Sequence, residues 1–305
     1  MQQFRLPSFD DTEIFVTIWD DVSMPCGVVQ LLHGMSEYAG RYDEFARYLN
    51  SRGYIVFADD HRGHGRTETP ENRGRHKGNI FKKTLCDELY FYEWLKDKYK
   101  LPVFLAGQSC GSFLCQAIAQ QKTDIKAIAL LGSGHMHGLF TLGKIALAPI
   151  RLIAGQWRPN LSKHDEWINS VPERMAEMRA DENVNIPMSV AFSFSMMRET
   201  SKLYGHAARG RLNPMTSIAL FSGTDDAVGQ KGKGVKKLYK MYKSTGINCE
   251  LHMYEGARHD IVFEYCEKQV QRDIADFFDK FVMYEQPSLY ELVNASNSTD
   301  GEDVE

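Results

Sequence analysis

Residues 104–112 read FLAGQSCGS, with Ser109 standing between Gly107 and Gly111 straight after an apolar run. A G-x-S-x-G pattern is expected by chance on the order of 0.1 times in a chain of this composition, so the motif needs its surroundings. LPVFLAGQ (101–108) predicts a strand buried on both faces, and a helix of about a dozen residues follows from Ser109. A sharp strand-to-helix turn forces its middle residue into strained backbone. Side chains at 107 and 111 would strike the neighbouring strand and helix, which accounts for both glycines. The turn also lifts a hydroxyl to a helix N-terminus, where unpaired N–H groups favour developing negative charge.

Working outward, the same alternation recurs. EIFVTIW (13–19), GVVQLLH (27–33), YIVFADD (54–60), IKAIALLG (125–132), MTSIALFSG (215–223) and NCELHMYEG (248–256) predict strands. Helical periodicity fills 41–53, roughly 80–99, near 232–244 and about 264–284. Strands alternating with helices imply an α/β fold with a mainly parallel sheet covered on both faces.

An activated serine needs a base, and the base needs an orienting acid. FSGTDDAVG places Asp225 and Asp226 in the loop after one strand, and GARHD places His259 beyond the next. Loops after parallel strands open on the sheet edge that carries Ser109. Asp226 lies deeper in its loop and is preferred to Asp225. His252 falls inside a strand and reads as a packing residue, and His33 as structural. The order Ser109, Asp226, His259 is the one this triad takes on such a sheet. Two backbone donors would complete an oxyanion hole: Cys110 N–H after the nucleophile, and Met35 N–H in the loop HGMSEYAGRY. Hydrolysis by such a site needs no metal and no organic cofactor.

The segments LLHGMSEYAGRYDEFARYLNSRGYIVFADDHRGHGRT, GQSCGS, GTDDAVG and GARHD together resemble the α/β-hydrolase superfamily, within it the monoacylglycerol lipase and lysophospholipase branch, grouped as serine aminopeptidase-like hydrolases. The likeness runs from about residue 10 to 284. It implies the α/β-hydrolase fold, with Ser109 as nucleophile, Asp226 as acid, His259 as base, and Met35 and Cys110 as oxyanion donors. It also implies a helical cap inserted after the sixth strand. Two positions depart from the family: Gln108-Ser109-Cys110 replaces the usual His-Ser-Met, which sets a thiol beside the nucleophile, and Ala227 replaces the usual proline after the acid.

On this reading residues 1–133 and 211–285 form the core, 134–210 the cap, and 286–305 an acidic tail expected to be flexible. The interval 134–210 is rich in large apolar groups, including Trp157, Trp167, Met175, Met178, Met188, Phe192, Met196 and Met197. Pro149, Pro159, Pro172 and Pro187 are expected to divide it into short helical pieces. Phe192, Met196 and Met197 are the acyl-site candidates, and the cap rim is expected to touch lipid surfaces. The loop 59–79 carries Arg62, Arg66, Arg73, Arg75 and Lys77, which would suit an anionic headgroup but read better as a solvated, structural loop.

Composition narrows the partners. Residues 285–305 hold six acids and no Lys or Arg, leaving 36 basic against 34 acidic residues in the rest. A near-neutral body gives no electrostatic reason to expect nucleic acid. Six scattered cysteines without a CxxC pair argue against a zinc site or a disulfide framework. The first residues lack the apolar run of a signal peptide, and 139–155 is broken by Lys144, Pro149 and Arg151. A soluble, cytoplasmic serine carboxylic-ester hydrolase, cleaving monoacylglycerol or lysophospholipid-type esters through an acyl-enzyme, is expected. A peptidase or thioesterase using the same triad, or an inactive binding protein on the same fold, are the alternatives.

Overall fold

The computed structural model describes residues 1–76, 78–121, 124–159 and 165–282. Within them the chain forms one eight-stranded sheet in the order β1-β2-β4-β3-β5-β6-β7-β8. The strands are β1 (Gln2–Pro7), β2 (Glu13–Trp19), β3 (Gly27–Leu32), β4 (Tyr54–Asp59), β5 (Val103–Gln108), β6 (Ala127–Leu131), β7 (Ser217–Gly223) and β8 (Cys249–Tyr254). β1 and β2 pair antiparallel at one edge, and every pair from β4 to β8 is parallel.

The continuous apolar strands follow from burial on both faces. Along β3, Val28 and Leu32 join a core with Phe113 and Leu114 of α3 (Cys110–Ala119) and Phe91 of α2 (Ile80–Tyr99). The intervening Val29 and Leu31 join a second core with Phe45 of α1 (Asp43–Ser51) and Phe278 of α9 (Glu267–Asp279). Residue alternation along one strand thus feeds two layers.

β1 is absent from the sequence reading. Only Phe4 and Leu6 alternate inward along QQFRLP, both half-buried against the core, and so short an edge strand leaves a faint pattern.

Among the described residues, four helices intervene between β6 and β7: α4 (His137–Ala154), α5 (Pro172–Ala180), α6 (Val190–Thr200) and α7 (His206–Arg209). Pro149 does not break α4, contrary to the expected division into short pieces. The carbonyl that proline strands belongs to Ile145, whose side chain is 62% exposed, so water can take the lost bond. α4 passes the length and hydropathy criterion for crossing a bilayer, although it is a helix that packs on α6 and leaves its other side exposed. The expected tail, 286–305, lies outside the described residues. α8 (Lys233–Lys243) covers β8 on the α2–α3 side.

Candidate active site

Ser109 stands between β5 and α3 with φ 51° and ψ −112°, a conformation that costs a non-glycine residue about 1–3 kcal/mol. Its N–H donates to Leu131 O of β6 at 2.9 Å, which ties the bend to the neighbouring strand. A Cβ at 107 would lie 2.5 Å from Gly111 O, and one at 111 only 2.0 Å from Leu32 O of β3. Both contacts are with backbone, which cannot yield. The glycines are therefore what allows the bend.

The loops after β7 and β8 bring an acid and a base together. Asp226 is fully buried, and its Oδ1 lies 2.9 Å from His259 Nδ1. Val228 N–H donates to the same oxygen at 2.8 Å. Burial works against the Asp226 charge, yet His259 and the loop N–H groups outweigh it and hold the carboxyl below its usual range. Burial likewise opposes a charge on His259, but Asp226 raises the imidazole above its ordinary value. Asp225 is exposed, and its N–H donates to Ala257 O. His252 stacks on Phe221, as a packing residue would.

The loop after β3 is held from both ends. His61 N–H donates to His33 Nε2 at 3.0 Å, so Nδ1 carries the proton and donates to Gly34 O at 2.7 Å. Burial, then the charges of His61 and His64, keep His33 neutral. In a trans peptide the C=O and N–H point in opposite directions, so this bond turns Met35 N–H away from His33. Gly34 N–H in turn donates to Glu37 Oε1, which also accepts from Tyr42 OH at 2.7 Å. Arg41 bridges Glu37 Oε2, at 2.6 Å, and Asp260 beside the base. Cys110 opens α3, where the first N–H groups have no partner within the helix.

Ser109, His259 and Met35 all line one cavity of about 550 Å³. Its wall includes Trp167, Ile168, Met178, Val184, Ile186 and Met188, so the Met and aromatic density of 134–210 does in part face the serine. Phe192, Met196 and Met197 do not line it. Phe192 and Met196 are buried in the core under α6, with Phe192 against His64 and His76, and Met197 packs where α4 carries Gly143. Helical spacing located the apolar face of α6 but not the side to which it turns.

The Cys110 thiol is buried, and burial pushes it up to about 12, so it stays protonated beside the serine. The arginines of the 59–79 loop are engaged within the fold. Arg62 pairs with Asp87 and Asp10, Arg66 reaches Gln3, and Arg73 bonds Gly65 O. Arg75 bonds Glu71 O, and Lys77 lies outside the described residues. Among the described residues, the side chains close enough to share a metal ion are Asp59, His61 and Glu88. They are buried on the α2 side of the sheet, and none lines the cavity.

Sequence reading passed over Glu37, Arg41, Gln108, Asp260 and Glu264 as working parts. Gln108 Nε2 donates to His259 O at 2.9 Å, so the residue that departs from the family pattern holds the base loop. The segment HGMSEYAGRY already contained Glu37 and Arg41, which pair with each other, but Asp260, the second acid on Arg41, lies over 200 residues away and has no local signature.

Comparison with known proteins follows the same lines. The pattern of the serine aminopeptidase S33 family matches residues 23–265. A monoglyceride lipase homolog of monkeypox virus is 27% identical over 274 residues, covering 88% of this chain and 94% of its own. The monoglyceride lipase of Rattus norvegicus is 26% identical, over 84% of this chain and 82% of its own. A solved lipase in its open form superposes with a TM-score of 0.82 at 26% identity, over 93% of this chain and 99% of its own. The chain therefore belongs to the serine aminopeptidase S33 family of α/β-hydrolases, and it is a monoacylglycerol lipase-like hydrolase of esters.

Proposed function

We propose that the chain cleaves monoacylglycerol-type esters through an acyl-enzyme on Ser109. His259 takes the hydroxyl proton as the oxygen attacks the ester carbonyl, and returns it to the leaving alcohol. Water then attacks the acyl-enzyme by the same route. Asp226 holds the imidazole with Nδ1 protonated, so Nε2 is the basic nitrogen. Met35 and Cys110 N–H would receive the oxyanion; losing one such donor typically costs about 3–4 kcal/mol in the transition state.

The observation that carries this reading is the buried Asp226–His259 pair opening with Ser109 on a single apolar cavity. Residues 134–210 would act as a cap over the core, 1–133 and 211–285, and supply the acyl wall through Trp167, Met178 and Met188. The charged residues of the cavity favour an uncharged headgroup. Glu37, Arg41, Asp165 and Asp260 line it, with Arg41 engaged by two acids and Asp165 by Arg179. A lysophospholipid phosphate would meet three carboxylates and a guanidinium already paired.

The exposed residues of α4, Leu142, Ile145, Leu152 and Ile153, with Trp157 beyond it, would touch a lipid surface from which substrate enters. All six cysteines are free thiols, which suits a reducing, cytoplasmic setting. Activity on a panel of monoacylglycerol, lysophospholipid, thioester and aminoacyl-amide substrates tests the proposal. Monoacylglycerol should be cleaved fastest, with a dependence on acyl length. Faster turnover of the amide or thioester, or indifference to acyl length, would refute it.

A further inference from the structure

The peptide joining His259 to Asp260 is held from two sides. Its carbonyl accepts from Gln108 Nε2, next to the nucleophile. Its N–H donates at 2.8 Å to Ile168 O, in the segment between β6 and β7. That segment is fastened to the His259 loop along its length. Arg258 Nη1 donates to Glu166 O and, at 3.0 Å, to Asn169 O. Asn169 Nδ2 donates at 3.0 Å to Phe263 O.

Glu264 joins the two more directly. It is 1% exposed, and its Oε1 accepts from Ser170 N–H at 2.8 Å and from Arg258 N–H at 3.0 Å. Its Oε2 accepts from the Ser170 hydroxyl. One buried carboxylate thus bonds the backbone just before the imidazole and the backbone of the cap segment. The same segment places the Trp167 ring 5.2 Å from the His259 ring, and Trp167 and Ile168 both line the cavity. Trp167 and Ile168 therefore face the cavity on one side and the His259 loop on the other.

We propose that residues 166–170 form a strap that sets His259 against Ser109, with Glu264 and Asn169 as positioning residues. This rests on the reading of His259 as the general base. A displacement of about 1 Å at a reacting group can cost on the order of 100-fold in rate, so bonds that fix the imidazole count in kcat although none touches substrate.

The test uses the full chain with Glu264→Gln, Asn169→Ala and Ser170→Ala, the last removing only a hydroxyl. Arg174→Ala serves as comparator, because Arg174 ties α5 to Glu44 and Glu267 away from the imidazole. On a p-nitrophenyl ester, kcat should fall about 10–100-fold in Glu264→Gln and Asn169→Ala, less in Ser170→Ala, with KM within about threefold. Arg174→Ala should stay near wild type. Unchanged kcat in the strap variants, or an equal loss in Arg174→Ala, overturns the proposal.

A second readout needs no hydrolysis. In Ser109→Ala, protonating His259 should quench Trp167 emission, and adding His259→Asn should abolish that quench. The acids facing the imidazole, Asp226, Asp260 and Glu37, remain in every variant. Adding Glu264→Gln should weaken the quench as the rings separate. A quench absent from Ser109→Ala, or unaltered by Glu264→Gln, also overturns the strap. Wild-type protein that cleaves no ester would instead refute the proposed function, leaving the strap to be judged by fluorescence.

Discussion

At residue scale, the two adjacent aspartates of the β7 loop separate cleanly. Asp226 is buried on His259, while Asp225 is exposed. Asp226→Asn should lower kcat on the order of 10⁴-fold, because the amide no longer fixes the imidazole tautomer. Asp225→Asn should stay within about threefold by the same assay, as an exposed group outside the site would. The raised His259 adds a pH dependence. Below its pKa the imidazole already holds a proton and cannot take one from Ser109. The kcat/KM profile should therefore rise with pH through a value above the ordinary 6.5, and its acid limb should move lower in Asp226→Asn. A pH–rate series on a soluble ester checks both. The sequence reading reached these residues because a strand-end position and a motif mark each of them. It missed Gln108 and Glu264 because a buried polar side chain is identified by its partner, and His259 and Ser170 are remote from them in the chain.

At the scale of elements, the close contact of β3 with α3 is the least tolerant feature. Gly111→Ala would drive a Cβ against Leu32 O and His33 O, neither of which is a flexible side chain. Thermal unfolding should show destabilisation of about 1–3 kcal/mol or more, with activity lost as the bend opens. α4 offers a contrasting case. Leu152 and Ile153 are 81% and 90% exposed, so glutamate there should leave stability and soluble-ester turnover unchanged. The same variants should slow hydrolysis of monoacylglycerol presented in vesicles, which a paired assay measures. Strand and helix positions were legible in the sequence because a period of 2 or 3.6 is written along each segment. The edge strand β1 and the unbroken α4 were not, since pairing and solvent on one side decide them. Which face of α6 meets the cavity depends on how it docks, and no periodicity encodes that.

For the whole molecule, the sheet carries a charged group deep on its α2 side, near the catalytic edge. Asp59 and Glu88 both approach His61 Nδ1, at 3.1 and 3.0 Å, and His61 stacks on His33 with ring centroids 3.9 Å apart. Burial, reinforced by Asp59, raises Glu88 well above its ordinary 4.5. A folded pKa above the unfolded one means the proton stabilises the fold fully at low pH. That contribution is lost as pH rises from the ordinary 4.5 through the raised folded value. Melting temperatures should fall across this window in the wild type, and Glu88→Gln should flatten the decline; a parallel decline in both would remove Glu88 from the account.

The central claim is that Ser109, at the bend, is the nucleophile. It is tested most directly by treating the folded protein with a fluorophosphonate and locating the adduct by peptide mass spectrometry. Near-stoichiometric modification at Ser109, slowed by His259→Ala and absent from Ser109→Ala, is expected. Modification at another residue, or labelling that persists in Ser109→Ala, would contradict it.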